Sequence, residues 1–116
     1  MEIKIIKSPI TNSELLEIAK EGFGDVVKAV VDVRQGIMAI GGELHADEEV
    51  LLTENESSKR EDTWGINIYP SETGGDFIEF DSMINLKPAH GNSSRGVDDP
   101  ATREKIENIV RTLIIE

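Results

Sequence analysis

The chain has 116 residues, 23 Asp and Glu against 12 Lys and Arg, a formal net charge of −11 and no cysteine. Its length suits a single domain over residues 1–116, its acidity excludes the dense basic face that a phosphate backbone requires, and the missing thiols exclude disulfides, thiolate metal centres and cysteine nucleophiles. No apolar run approaches the roughly 20 residues that span a bilayer, and MEIKIIKSP at the N-terminus lacks a signal-peptide pattern. The expected setting is therefore cytoplasmic, with neither nucleic acid nor membrane as a partner.

In chain order, Glu2–Ile6 is rich in β-branched residues and predicts a strand, which Ser8-Pro9 ends. Thr11 or Asn12 can cap the helix that follows, and Glu14 stands three after Thr11 in a capping-box arrangement. Leu15, Ile18 and Ala19 follow on one helical face, and Gly22 and Gly24 stop the helix. Asp25–Val33 reads DVVKAVVDV, with Val27, Ala29, Val31 and Val33 on one face and Val26 and Val30 on the other. Apolar residues on both faces predict an interior strand. Arg34-Gln35-Gly36 makes a short turn into a second strand that opens at Ile37, a spacing that favours an antiparallel hairpin.

Within Ile37–His45, strand alternation places Met38, Ile40 and Leu44 on one face and Ala39, Gly41, Glu43 and His45 on the other. Two consecutive glycines, Gly41 and Gly42, predict a bulge or bend. Ala46–Glu49 then reads as a turn and Val50–Thr53 as a strand. The alternative is a helical turn or two from Leu44 to Leu52, because Ala, Glu and Leu are good helix formers. Thr63–Tyr69 and Phe77–Leu86 predict two further strands, ended by Pro70 and Lys87-Pro88. Ala89–Asp99 is a polar loop. Asp99-Pro100 caps and opens a last helix whose stripe is Ile106, Ile109, Val110, Leu113 and Ile114. The expected fold is α+β: a largely antiparallel sheet of five to six strands with two helices packed on it, in the order β-α-β-β-β-β-β-α.

Four runs carry a resemblance. Gly36–Glu49 (GIMAIGGELHADEE), Trp64–Pro70 (WGINIYP), Ile78–Pro88 (IEFDSMINLKP) and Gly91–Pro100 (GNSSRGVDDP) together resemble a family of small uncharacterised prokaryotic proteins, a domain of unknown function with no known activity. The resemblance implies a bacterial or archaeal cytoplasmic protein. It brings no cofactor and no catalytic residue.

Three groups of residues have chemistry worth following. His45, Asp47 and Glu49 stand at alternate positions, which share a face on a strand, whereas on a helix His45 and Glu49 are neighbours. With His90 they offer the mixed nitrogen and oxygen ligands that suit zinc, manganese, iron or nickel. The plainer reading is a histidine on a solvated acidic turn. Asn92, Ser93, Ser94 and Arg95 provide donors in a glycine-containing loop that leads into a helix N-terminus, a place that favours anions. Asp98 and Asp99 already occupy that positive end, however, and there is no P-loop lysine. Glu79 and Asp81 share a strand face and could act as an acid–base pair, although such rows more often guard a sheet edge.

Segment 43–62 holds Glu43, Asp47, Glu48, Glu49, Glu54, Glu56, Glu61 and Asp62 against Lys59 and Arg60, a net −6. The reading that follows is a small binding or protein-interaction domain without a resident cofactor, with a homo-oligomer or a small anion at the 90–99 loop as its companions. One alternative is a divalent-metal hydrolase with His45, Asp47 and His90 as ligands, Glu43 or Glu79 as base and Arg95 on an anionic substrate. The other is an acidic regulator whose 43–62 segment covers a basic protein.

Overall fold

Three signals in the sequence give the elements they predict. Thr11 caps the first helix, accepting from the Glu14 amide at 3.1 Å while the Glu14 carboxylate accepts from the Thr11 amide. Asp99 caps the last helix, with Pro100 at its first position. The two Val- and Ile-rich runs around Arg34-Gln35-Gly36 pair as an antiparallel hairpin. The computed structural model describes all 116 residues. Its elements are β1 (Lys4–Ile6), β2 (Ile10–Thr11), α1 (Asn12–Glu21), β3 (Val27–Asp32), β4 (Ile37–Ile40), α2 (His45–Asn55), β5 (Thr63–Ile68), β6 (Ile78–Glu79), α3 (Pro100–Leu113) and β7 (Ile114–Ile115).

The main sheet is five-stranded and antiparallel, in the order β1-β4-β3-β5-β6. β3 lies at its centre, as the two-faced valine pattern predicts. One face carries Val27, Ala29 and Val31, Met38 and Ile40, Trp64, Ile66 and Ile68; α1 and α3 cover it with Leu15 and Ala19 and with Ile106, Val110 and Leu113. On the other face Val30, Ile37 and Ala39 meet Leu52 of α2, with Ile3, Ile5 and Ile84 at the margin. A separate parallel pair joins β2 to β7 in the register Ile10↔Ile114 and Thr11↔Ile115, which ties the end of α3 to the start of α1.

The class is α+β with a largely antiparallel sheet, but it has three helices and not two. The additional one is α2, which replaces the strand predicted at Val50–Thr53. Its cause lies in the glycine pair. Gly41 sits at φ +88°, in left-handed backbone that L side chains avoid, and a Cβ there would lie 2.9 Å from the Glu2 carbonyl oxygen. The strand therefore ends at Ile40, and the chain leaves the sheet and returns across its second face as a helix. Leu44 and His45 are accordingly not strand residues, and the face assignments made for Glu43 and His45 do not hold.

The predicted strand Phe77–Leu86 shrinks to Ile78–Glu79, followed by 3-10 turns at Met83–Asn85 and Pro88–His90. The reason is a side chain acting as a strand. Asn85 Oδ1 accepts from the Gly65 amide at 2.8 Å and Asn85 Nδ2 donates to the Gly65 carbonyl at 2.9 Å. Its carboxamide thus pairs with β5 where the backbone of a longer β6 would have done so. Gly65 makes room for this, since a Cβ there would lie 2.5 Å from Ser82.

Candidate functional site

On the second face of the sheet four of the predicted site residues, His45, Glu79, Asp81 and Arg95, come together. The cross-strand row of that face is polar: Lys28 on β3 stands opposite Asn67 on β5, and Asn67 opposite Glu79 on β6. Asn67 Nδ2 donates to Glu79 Oε1 at 2.8 Å and to the Asp81 carbonyl at 3.3 Å. The Tyr69 hydroxyl donates to the same Glu79 oxygen at 3.3 Å. Burial, followed by the Glu79 charge, raises the Tyr69 phenol above its ordinary value. Arg95 closes the row from the 90–99 loop, its Nε 2.8 Å from Asp81 Oδ1.

α2 lays its first turn on this row. The His45 ring is buried and its Nε2 lies 2.8 Å from the Ile66 carbonyl, so Nε2 carries the proton and donates. Burial pushes the imidazole pKa below the ordinary histidine value. The bond to Ile66 and the charge of Asp81 oppose that shift, and the charge of Lys28 adds to it. His45 is therefore a neutral imidazole at pH 7, fixed in orientation.

Glu48, one turn further, is fully buried. Its Oε2 accepts from the Gly42 amide at 3.0 Å, and its Oε1 has no partner. Desolvation raises its pKa to about 9, against the opposing effects of the Gly42 bond and Lys28. Glu48 is thus a protonated carboxyl at pH 7. It also explains Gly42, where a Cβ would lie 3.0 Å from both Glu48 Cγ and Ile3 Cγ1. Glu49 is buried beside it and accepts from the Thr63 hydroxyl at 2.5 Å.

His45, Glu79, Asp81 and Arg95, drawn from three separate groups in the sequence, are therefore brought to one polar row around Asn67. Glu43 and Asp47 point to solvent, away from it. His90 is exposed and lines the same surface groove as Ala46, Glu49 and Val50 of α2. No three His, Asp or Glu side chains gather closely enough to hold a metal ion. In the 90–99 loop only Asn92 is turned inward, while Ser93, Ser94 and Arg95 are exposed. Buried Asn92 donates to the carbonyls of Asn85, Ser94 and Gly96 and accepts from the Asp98 amide. The Ser93 amide and the Ser94 hydroxyl both donate to the Asp98 carboxylate, which their bonds hold below the ordinary aspartate value.

A groove of about 420 Å³ runs between α2 and residues 83–90. Val50, Met83 and Leu86 line it, and they are 41%, 63% and 40% exposed. At its ends Arg60 faces Glu49 at 3.8 Å, and the Lys87 ammonium turns inward to the Arg60 carbonyl at 2.6 Å and over the Trp64 ring at 5.0 Å. Burial lowers the Lys87 pKa. None of the groove's apolar residues was singled out as functional in the sequence. Their signal was hidden because Val50, Met83 and Leu86 all read as strand residues.

The fold and these surfaces define a small α+β domain with an antiparallel sheet, a polar row on one face and an apolar groove beside it. The chain belongs to the family described as protein of unknown function (DUF5674), whose model matches residues 4–113. This accords with the resemblance read from its four sequence runs. No curated protein and no solved structure matches the chain significantly.

Proposed function

We propose that the chain is a polypeptide-binding domain whose groove between α2 and residues 83–90 receives an amphipathic helix with apolar anchors and basic flanks. One observation carries the reading: of seven large apolar side chains exposed on the whole surface, three line this single groove. Clustered exposed apolar groups rimmed by polar ones mark interaction sites, whereas scattered ones need no explanation. Burying a fully exposed side chain of this kind is worth about 1.5–3 kcal/mol, and these three, 40–63% exposed, have roughly half of that left to gain.

The basic character of the partner follows from charge. The exposed acids Asp47 and Glu54 belong to α2, the groove's own wall, and Glu43 precedes it. The two cations of the groove are already engaged, Arg60 with Glu49 and Lys87 with backbone carbonyls. A net −11 opposes a second copy of the chain and steers a basic partner inward.

The test uses a synthetic helical peptide with leucines at i and i+4 flanked by lysines, titrated by fluorescence anisotropy. Val50→Ser and Met83→Ser, both at exposed positions, should each weaken binding about tenfold while leaving the thermal unfolding midpoint in place. The charge-reversed peptide should not bind. Unchanged affinity in both serine variants would show attraction by charge alone and refute the groove. Sedimentation showing a dimer that the serine variants dissociate would replace the proposed partner with a second copy.

A further inference from the structure

A second cavity, of about 400 Å³, lies where the start of α1 and the end of α3 meet the loop after β5. Its volume is within the range of about 300–1,000 Å³ typical of small-molecule sites. β7, held in place by its parallel pairing with β2, builds one side of it. Asn12 builds another, its Nδ2 donating to the Pro70 carbonyl at 3.0 Å. That bond leaves Asn12 Oδ1 buried with no donor in the protein, although buried polar atoms are nearly always paired.

The remaining lining has three characters. Arg111 is a cation, Glu72 and Glu116 are anions, and Phe77 and Ile114 are apolar. Arg111, Glu72 and Glu116 take part in none of the chain's ion pairs. A simple anion would suit Arg111 and be repelled by the two carboxylates. A simple cation would suit the carboxylates and meet Arg111. A zwitterion with an apolar tail answers all of these at once.

We infer that this cleft binds a free α-amino acid with an apolar side chain. Arg111 takes the carboxylate as a forked donor. The Glu72 carboxylate takes the ammonium group. Phe77 and Ile114 hold the side chain. The site is separate from the groove on α2 and does not depend on that groove's being occupied.

The experiment is calorimetric titration of the full chain, with thermal shift as a second readout. The probes are L-leucine and L-phenylalanine, beside leucinamide, which lacks the carboxylate, and N-acetyl-leucine, which lacks the ammonium. The free amino acids should bind and raise the unfolding midpoint, and each blocked form should bind about tenfold more weakly or worse. Arg111→Gln should abolish binding without moving the unliganded midpoint, because Arg111 is exposed. Arg111→Lys should restore part of it. Val50→Ser in the groove should leave it unchanged. Equal binding of the blocked forms, equal binding by Arg111→Gln, or no binding by any amino acid up to roughly 10 mM would overturn the assignment.

Discussion

Glu48→Gln isolates the buried carboxyl of α2. In the folded chain Glu48 stays protonated up to about pH 9, whereas its ordinary value is 4.5. The group is an acid whose pKa is raised by folding, so its contribution is fully present below pH 4.5. It is lost progressively as the pH climbs from there towards 9. Over that window the stability falls by about 1.4 kcal/mol per pH unit. At pH 7.5 the protonation of Glu48 therefore costs about 4 kcal/mol relative to pH 4.5. Glutamine keeps the shape and keeps an oxygen for the Gly42 amide, and it does not titrate. The variant should match the wild type near pH 4.5 and exceed it by about 4 kcal/mol at pH 7.5. Urea unfolding at pH 4.5, 6 and 7.5 measures the gap directly, because all other titrating groups are common to both proteins. Parallel stability curves over that range would mean that Glu48 ionises normally inside the fold, and the account of its burial would be refuted.

Two further predictions concern backbone and charge. Gly41→Ala forces a side chain into left-handed backbone and against the Glu2 carbonyl, and should cost about 2 kcal/mol or more, whereas Gly75→Ala, where a Cβ meets nothing within 4 Å, should be neutral by the same thermal unfolding assay. Asp32 is raised by burial, but bonds from Ser58, from the Gln35 side chain and from the Gln35 and Arg34 amides more than offset this and leave its pKa lowered; its contribution is present above pH 3.8 and fades as the pH falls through the lower folded value. Asp32→Asn should accordingly cost about 2–3 kcal/mol at pH 7 in urea unfolding, with the difference shrinking below pH 3.8; a difference that persists unchanged in acid would count against the charge.

How far the fold could be read from the sequence varied from element to element, for physical reasons. α3 was legible because Asp99-Pro100 and an apolar stripe at helical spacing agree. β3 and β4 were legible because their valines and isoleucines fill both faces of a central strand. α2 was not, although its inner face is regular. The buried positions His45, Glu48, Glu49 and Leu52 fall at i, i+3, i+4 and i+7, a helical face composed mostly of polar side chains. A search for apolar periodicity passes over it. The short β6 was hidden for a related reason: an asparagine side chain, Asn85, does the pairing that strand patterning assigns to backbone. Within the site, Glu79 and Asp81 were placed by local alternation. Their meeting with His45 and Arg95 depends on the crossing of α2 and on the folded 90–99 loop, neither of which local spacing encodes.

The inversion of α2 connects the fold to the proposed function. On the second face β5 presents Thr63, Gly65 and Asn67, which offer hydrogen bonds and little apolar surface. A helix can dock on β5 only through polar groups, and α2 does so with His45 to the Ile66 carbonyl and Glu49 to the Thr63 hydroxyl, while Glu48 holds the Gly42 amide beyond the end of β4. Leu52 is the single fully buried leucine it contributes. Carboxyls buried in this way are unfavourable compared with leucines in the same places. With its inner face committed to hydrogen bonds, α2 turns Val50 outward, and Leu44 just before it is exposed as well. A helix serving only to cover a sheet would gain stability from the opposite arrangement, with the apolar residues inside and the acids outside. The arrangement makes physical sense if the outward residues have work of their own, and the groove that Val50 shares with Met83 and Leu86 is where a partner would recover the burial energy that the isolated fold leaves unused.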